Sequence, residues 1–139
     1  MTYAGFWKRF GASFIDGFIT FILGVITGFI VGVITSTMSR TGAIGAERIA
    51  GGITGFITGW IYFAAFESST KQATLGKMAL GIKVTDINGN RISFSKASGR
   101  YFGKIISILT LYIGFLMAAF TSKKQGLHDK MAGCLVVNK

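Results

Sequence analysis

The sequence predicts an all-α integral membrane protein with two transmembrane helices, a third membrane segment that crosses or re-enters, and a small cytoplasmic β-hairpin. Three observations carry this prediction. Residues 17–39 form an uncharged run, and two further uncharged, largely apolar runs follow at 49–66 and 105–122. Mean hydropathy is +0.55, with 50% of residues hydrophobic and only 14% charged. The Lys and Arg residues gather between the apolar runs rather than within them. A bilayer core about 30 Å thick takes roughly 20 helical residues, so each run is long enough or nearly so. A soluble helical domain does not account for so apolar a chain.

The N-terminal segment carries Lys8 and Arg9, and membrane segment one is expected over about 11–38. Its apolar run is too long for a signal peptide and is followed by Ser, Met and Arg rather than a small-residue cleavage site, so it is expected to remain as an anchor. Asp16 is the acid within this stretch. Unpaired in lipid it would cost on the order of 3 kcal/mol, so it should face protein or water and meet a cation. Arg9, seven residues earlier, shares its helix face if the helix begins by about residue 6. Lys104 and Arg100 are the other candidates, and an interfacial anchor role for Asp16 stands beside them.

Gly24, Gly28 and Gly32 fall at a spacing of four, and Gly51, Gly55 and Gly59 repeat that spacing in the second segment, about 49–66. In lipid, such small faces let backbones approach closely, which predicts a tight helix pair within one subunit or between subunits. The connection from Ser39 to Arg48 is poor in positive charge, whereas Glu67 to Lys104 holds seven Lys or Arg. The positive-inside rule then puts the N-terminus and the second connection in the cytoplasm and the first connection outside, in a multi-pass protein of the cell membrane.

Ile82, Val84, Ile92 and Phe94 alternate with polar residues around Asn88-Gly89, which predicts a hairpin over about 82–94. Cys134-Leu-Val-Val137 also reads as a strand, and it is expected to add to the hairpin. Lys123, Lys124, Lys130 and Lys139 mark the tail as cytoplasmic too, so residues 105–122 have basic flanks on both sides. A segment that dips in and returns reconciles the two flanks; a plain crossing remains the alternative. With no Pro in the chain, any helix break must come from Gly or a local change of pitch.

Little here suggests chemistry. One Cys, Cys134, and one His, His128, build neither a disulfide framework nor a metal cluster, and no nucleophile motif or phosphate loop is present. Neither enzyme activity nor a cofactor or metal is expected. The net charge of +10 lacks the interleaved aromatics of a nucleic-acid surface and fits attraction to anionic lipid.

The opening Tyr3-Ala-Gly-Phe-Trp-Lys-Arg-Phe-Gly-Ala-Ser-Phe-Ile-Asp16 resembles the start of the RDD family of small bacterial and archaeal membrane proteins. The resemblance continues through Thr74-Leu-Gly-Lys77, Gly81-Ile-Lys-Val-Thr-Asp-Ile-Asn-Gly89 and Gln125-Gly-Leu-His-Asp-Lys-Met-Ala-Gly133. It implies that Arg9 and Asp16 match the family's first Arg and Asp, and Asp129 its second Asp. Leu75 departs from the family, whose members usually carry Pro there, and this bears on the turn before Gly76.

The resemblance implies transport, with monovalent cation/proton antiport described for some members, or an accessory role beside another membrane protein. For a carrier, Asp16 is expected to bind the ion, Asp129 to be a second acid or an anchor for the tail, and Arg9 to hold Asp16 in place. His128 is expected at an interface rather than in a proton relay, because adjacent helical positions point apart. Two or three spans enclose no pore, so transport of cations or protons requires a homo-oligomer seamed by the glycine faces. The alternative is a non-catalytic adaptor or regulatory subunit that uses those faces to bind a different membrane protein.

Overall fold

The computed structural model describes residues 1–38 and 44–139. The core of the first connection, residues 39–43, lies outside the described residues. The elements are α1 (Phe6–Met38), α2 (Ile44–Ser68), α3 (Leu75–Ala79), β1 (Ile82–Asp86), α4 (Phe94–Leu109), α5 (Ile113–Phe120), α6 (Leu127–Ala132) and β2 (Cys134–Asn138). They form two compact units: Met1–Asp16 with Phe63–Lys139, and Gly17–Tyr62.

The unit Gly17–Tyr62 contains most of α1 and α2, the two described helices long and apolar enough to cross a membrane. At 33 residues, α1 is about 50 Å long, more than a hydrocarbon core requires. Phe18, Phe21, Phe29 and Ile53 stand exposed, as suits side chains whose solvent is lipid. The threonines within these helices return their hydroxyls to the backbone one turn earlier. Thr27 donates to the Leu23 carbonyl at 2.8 Å, Thr35 to Val31 at 2.9 Å and Thr54 to Ala50 at 2.7 Å, so these hydroxyls need no water.

The glycines of α1 and α2 lie half-buried along the stripes that carry Thr27 and Thr58. A Cβ added at Gly24, Gly28, Gly32, Gly51 or Gly55 would meet nothing within 4 Å. Gly59 is buried. The two helices meet instead through Thr27 and Thr58, whose hydroxyl oxygens lie 3.3 Å apart, so side chains rather than bare backbones make that contact. The spacing at these five glycines is looser than a backbone-to-backbone contact.

The other unit is organised by β2, which pairs antiparallel with β1 in a register that sets Val84 opposite Val136. Tyr3 bridges Val137 along its other edge, and the Ala4 amide donates to the Val136 carbonyl at 2.9 Å. Held on both edges, Cys134, Leu135, Val136 and Val137 are all buried, which is why this strand reads as a continuous apolar run instead of an alternating one.

The small sheet thus exists, but the expected second arm of the hairpin does not. The Asn88-Gly89 turn forms: the Asp86 carboxylate accepts the amides of Asn88 and Asn90, each at 2.8 Å, and Gly89 adopts φ +86°. Beyond it Ser93 takes the N-cap of α4, accepting the Lys96 amide at 3.2 Å, so Phe94 starts a helix. Ile92 is buried from the loop, and the edge of β1 away from β2 is occupied at Val84, whose amide donates to the Gln72 carbonyl at 2.7 Å.

The third apolar run is not a straight helix. α4 and α5 are bent by 103° across a short break, the geometry of a broken span or a re-entrant loop. Leu111 and Tyr112 make the break with φ of 54° and 63°, conformations that cost about 1 kcal/mol or more in residues other than glycine. The return is tight, since a Cβ on Gly114 would sit 2.6 Å from the Ser107 hydroxyl.

Candidate functional site

The buried polar residues of the unit built from Met1–Asp16 and Phe63–Lys139 form two linked groups. The first centres on Asp16, fully buried on α1. Its Oδ2 accepts the Thr74 hydroxyl at 2.5 Å and its Oδ1 accepts the Gly76 amide at 2.8 Å. Thr74 is the N-cap of α3, yet its hydroxyl makes no cap of its own. A carboxylate from another helix supplies the anion that this N-terminus needs. Glycine at 76 follows from the close approach, because a Cβ there would lie 2.3 Å from the Ala12 carbonyl oxygen and 2.8 Å from Asp16 Oδ1. Leu75 occupies the first helical position, where proline is favoured, so its departure from the family pattern leaves the turn intact.

The second group is a chain of ion pairs. Arg9 donates to Asp129 and also to the Lys124 carbonyl. Arg100 donates to Asp129 Oδ1 from Nε at 2.9 Å and from Nη2 at 2.6 Å, while its Nη1 reaches Glu67. Glu67 pairs in turn with Lys77. Asp129 also accepts the Gly126 amide at 3.1 Å, tying down the first turn of α6. Asp129, Glu67 and Arg100 are buried to 1% exposure or less. Taking such charges out of water costs several kcal/mol per ion, which only complete pairing offsets.

Electrostatics follow from this geometry. Burial works to raise the Asp129 pKa, but the guanidiniums of Arg100 and Arg9 outweigh it and hold the carboxyl well below its usual range. Burial lowers Lys77, with Glu67 acting in the opposite direction. His128 is pushed down to about 3 by burial, despite Asp129, with Arg100, Lys104 and Arg9 adding repulsion. It is therefore neutral near pH 7.

The predicted residues come together differently from expectation. Arg9 pairs with Asp129 instead of holding Asp16, whose described partners are Thr74 and Gly76. His128 is 4% exposed, packed against Phe115 with ring centroids 5.0 Å apart. Its Nδ1 lies 3.3 Å from the Ser107 hydroxyl and its Nε2 3.5 Å from Asp129 Oδ1. Adjacency on a helix fails to separate the two side chains because α6 has only six residues and is packed into the fold. Gly103 admits the His128 backbone on one side and Gly126 its ring on the other.

Glu67, Lys77 and Arg100 were the residues not foreseen as a group. Glu67 closes the second apolar run, and a lone acid there was a signal for a nearby cation. Among the described residues no cluster of His, Cys, Asp and Glu is placed to hold a metal ion. Beside the network lies a cavity of about 440 Å³, with Arg9, Lys77, Arg100 and Lys104 on its polar side and Phe10, Phe115 and Leu116 among its apolar walls.

The pattern of the RDD family matches residues 3–133. The chain is 46% identical over 79 residues to the uncharacterized protein YxaI of Bacillus subtilis (strain 168), a stretch covering 57% of this chain and 52% of YxaI. It is 30% identical over 145 aligned residues to the uncharacterized membrane protein YteJ of the same organism, covering 99% of this chain and 82% of YteJ. It is 37% identical over 68 residues to the uncharacterized protein RP437 of Rickettsia prowazekii (strain Madrid E), covering 48% of this chain and 37% of RP437. The matched stretches thus span about half of YxaI and less of RP437. No solved structure matches. The family pattern runs through nearly the whole sequence, and the similarity to YteJ covers 99% of this chain: this chain belongs to the RDD family.

Proposed function

We propose that this chain is a non-catalytic adaptor or regulatory subunit of the membrane, acting through helix association with a second copy or with another membrane protein. The observation that carries this reading is the pair of glycine faces on α1 and α2, where five half-buried glycines have room for a Cβ. In lipid, small-residue faces gain their packing energy when a backbone closes on them. The ion-pair network supports the reading from the other side. An exchanger needs a carboxyl that gains and loses a proton near physiological pH, and Asp129 is kept ionised by two guanidiniums.

Monovalent cation/proton exchange is the second reading, favoured by Asp16, a fully buried carboxylate on a helix long enough to span the bilayer. In that reading the carrier is a homo-oligomer. Reconstituted proteoliposomes separate the two. Cation-driven proton movement that Asp16→Asn abolishes, at unchanged oligomeric state, supports exchange and overturns the adaptor. Absence of flux, together with cysteine crosslinking along the Gly24–Gly32 face that Gly28→Leu eliminates, supports the adaptor.

A further inference from the structure

The cavity beside the ion-pair network has a charge pattern that neither reading uses. Arg9, Lys77 and Arg100 are committed to Glu67 and Asp129. Lys104 also lines the cavity, yet it makes no ion pair among the described residues: its ammonium rests over the Phe63 ring, 3.7 Å from the centroid. Counting Asp16, the cluster holds three carboxylates against four basic side chains, and Lys104 is the one of these four that makes no ion pair among the described residues. A cation over an aromatic face gains about 1 kcal/mol or somewhat more, less than a charged hydrogen bond to an anion offers.

The rest of the cavity says where an anion would come from. Phe10, Tyr112 and Leu116 line it and are each about half exposed or more, at 57%, 60% and 47%. Tyr112 belongs to the bend of the α4–α5 pair, and Leu116 to α5, a helix composed almost wholly of apolar residues. An entrance of this kind is wetted by acyl chains and penalises a bare hydrated ion. On the polar side, Lys104 stands outside the ion pairs and attracts a phosphate that carries net charge.

We propose that this cavity binds the phosphate of an anionic phospholipid, with Lys104 as its principal contact and the Phe115 and Leu116 walls against its first acyl carbons. At about 440 Å³ the space accommodates a headgroup and the start of its chains.

Native mass spectrometry of the purified full chain, offered equal amounts of phosphatidylglycerol and phosphatidylcholine, tests the proposal. The wild type should retain phosphatidylglycerol several-fold over phosphatidylcholine, and Lys104→Gln should bring the two to parity at an unchanged melting temperature. Leu116→Trp, which narrows the cavity from its apolar side, should lower retention of both lipids. Parity in the wild type overturns the proposal, as does a preference that survives Lys104→Gln. If Lys104→Gln fails to fold, undiminished retention in Leu116→Trp overturns it instead. Excess inorganic phosphate should leave the lipid preference in place; if it erases the preference, the site serves a free anion and the lipid assignment falls.

Discussion

Arg100 grips Asp129 through two nitrogens, Nε at 2.9 Å and Nη2 at 2.6 Å, and both hydrogen bonds end on the same carboxylate oxygen. The other oxygen of Asp129 is left to Arg9 and the Gly126 amide, and the third nitrogen of Arg100 is left to Glu67. One buried guanidinium therefore joins α4 to both the end of α2 and the start of α6.

Removing that guanidinium takes one partner from each of two buried carboxylates, leaving Asp129 to Arg9 and Glu67 to Lys77. Arg100→Met should destabilise the fold by about 3–5 kcal/mol, the usual cost of breaking a buried ion pair by removing one partner. Arg100→Lys should recover little, because a single ammonium cannot reproduce a planar fork directed at two acids. Thermal unfolding of the purified variants, with yield from membranes as a second measure, checks the order wild type, Lys, Met.

Gly76 is expected to be far less replaceable than the glycines of the membrane faces. An added Cβ meets the Ala12 carbonyl and the Asp16 carboxylate, both backed by helix α1. Gly76→Ala should cost about 1–3 kcal/mol, in the range of overpacked sites, and should also lengthen the Asp16 hydrogen bonds. Gly99, in the interior of α4 with open space at its Cβ, is the control. Gly99→Ala should be neutral or stabilising by up to about 1 kcal/mol through helix propensity. A melting-temperature comparison of the two alanine variants decides the matter.

Thr74→Val keeps the shape of the N-cap but removes the hydroxyl that Asp16 accepts at 2.5 Å. A hydrogen bond to a charged group is worth about 1.5–3 kcal/mol, so a loss of about 2 kcal/mol is expected. Thr74→Ser should retain most of the stability, and a larger loss in Ser than in Val would show that the methyl group, not the hydroxyl, matters.

What the sequence reveals and what it hides divide along a physical line. Uncharged runs report on the solvent around a helix, so α1 and α2 are legible, while the 103° bend between α4 and α5 has no such signal. The Asn88-Gly89 turn and the Cys134–Val137 strand are local signals and both appear. The partners of the charges are not local. Arg9 sits seven residues from Asp16 but pairs with Asp129, 120 positions away, because β2 draws the C-terminal segment against the first residues of the chain. Spacing along one helix carries no trace of that closure. The exception is Gly76, whose Thr-Leu-Gly-Lys setting stood out in the sequence although its clash-limited contact with Asp16 did not.

The acid side of the stability profile should show two steps, and their signs follow from burial. His128 has a folded pKa near 3, below its ordinary 6.5. Above pH 6.5 it is neutral whether the chain is folded or not, and it contributes no pH dependence. As pH falls from 6.5 toward 3 the unfolded chain takes up a proton that the folded chain refuses, so stability declines through that window. Asp129 is also depressed in the fold, from an ordinary 3.8, so its ion pairs stabilise fully above about pH 4, and that stabilisation is lost as pH drops further. Melting temperature measured from pH 8 downward should thus be flat to about 6.5, decline between 6.5 and 4, and fall more steeply below 4. His128→Gln should flatten the first decline while leaving the second, since Arg9 and Arg100 still hold Asp129 ionised. A profile in which His128→Gln changes nothing between pH 6.5 and 4 would mean that the imidazole is not kept neutral by its packing against Phe115 and Ser107.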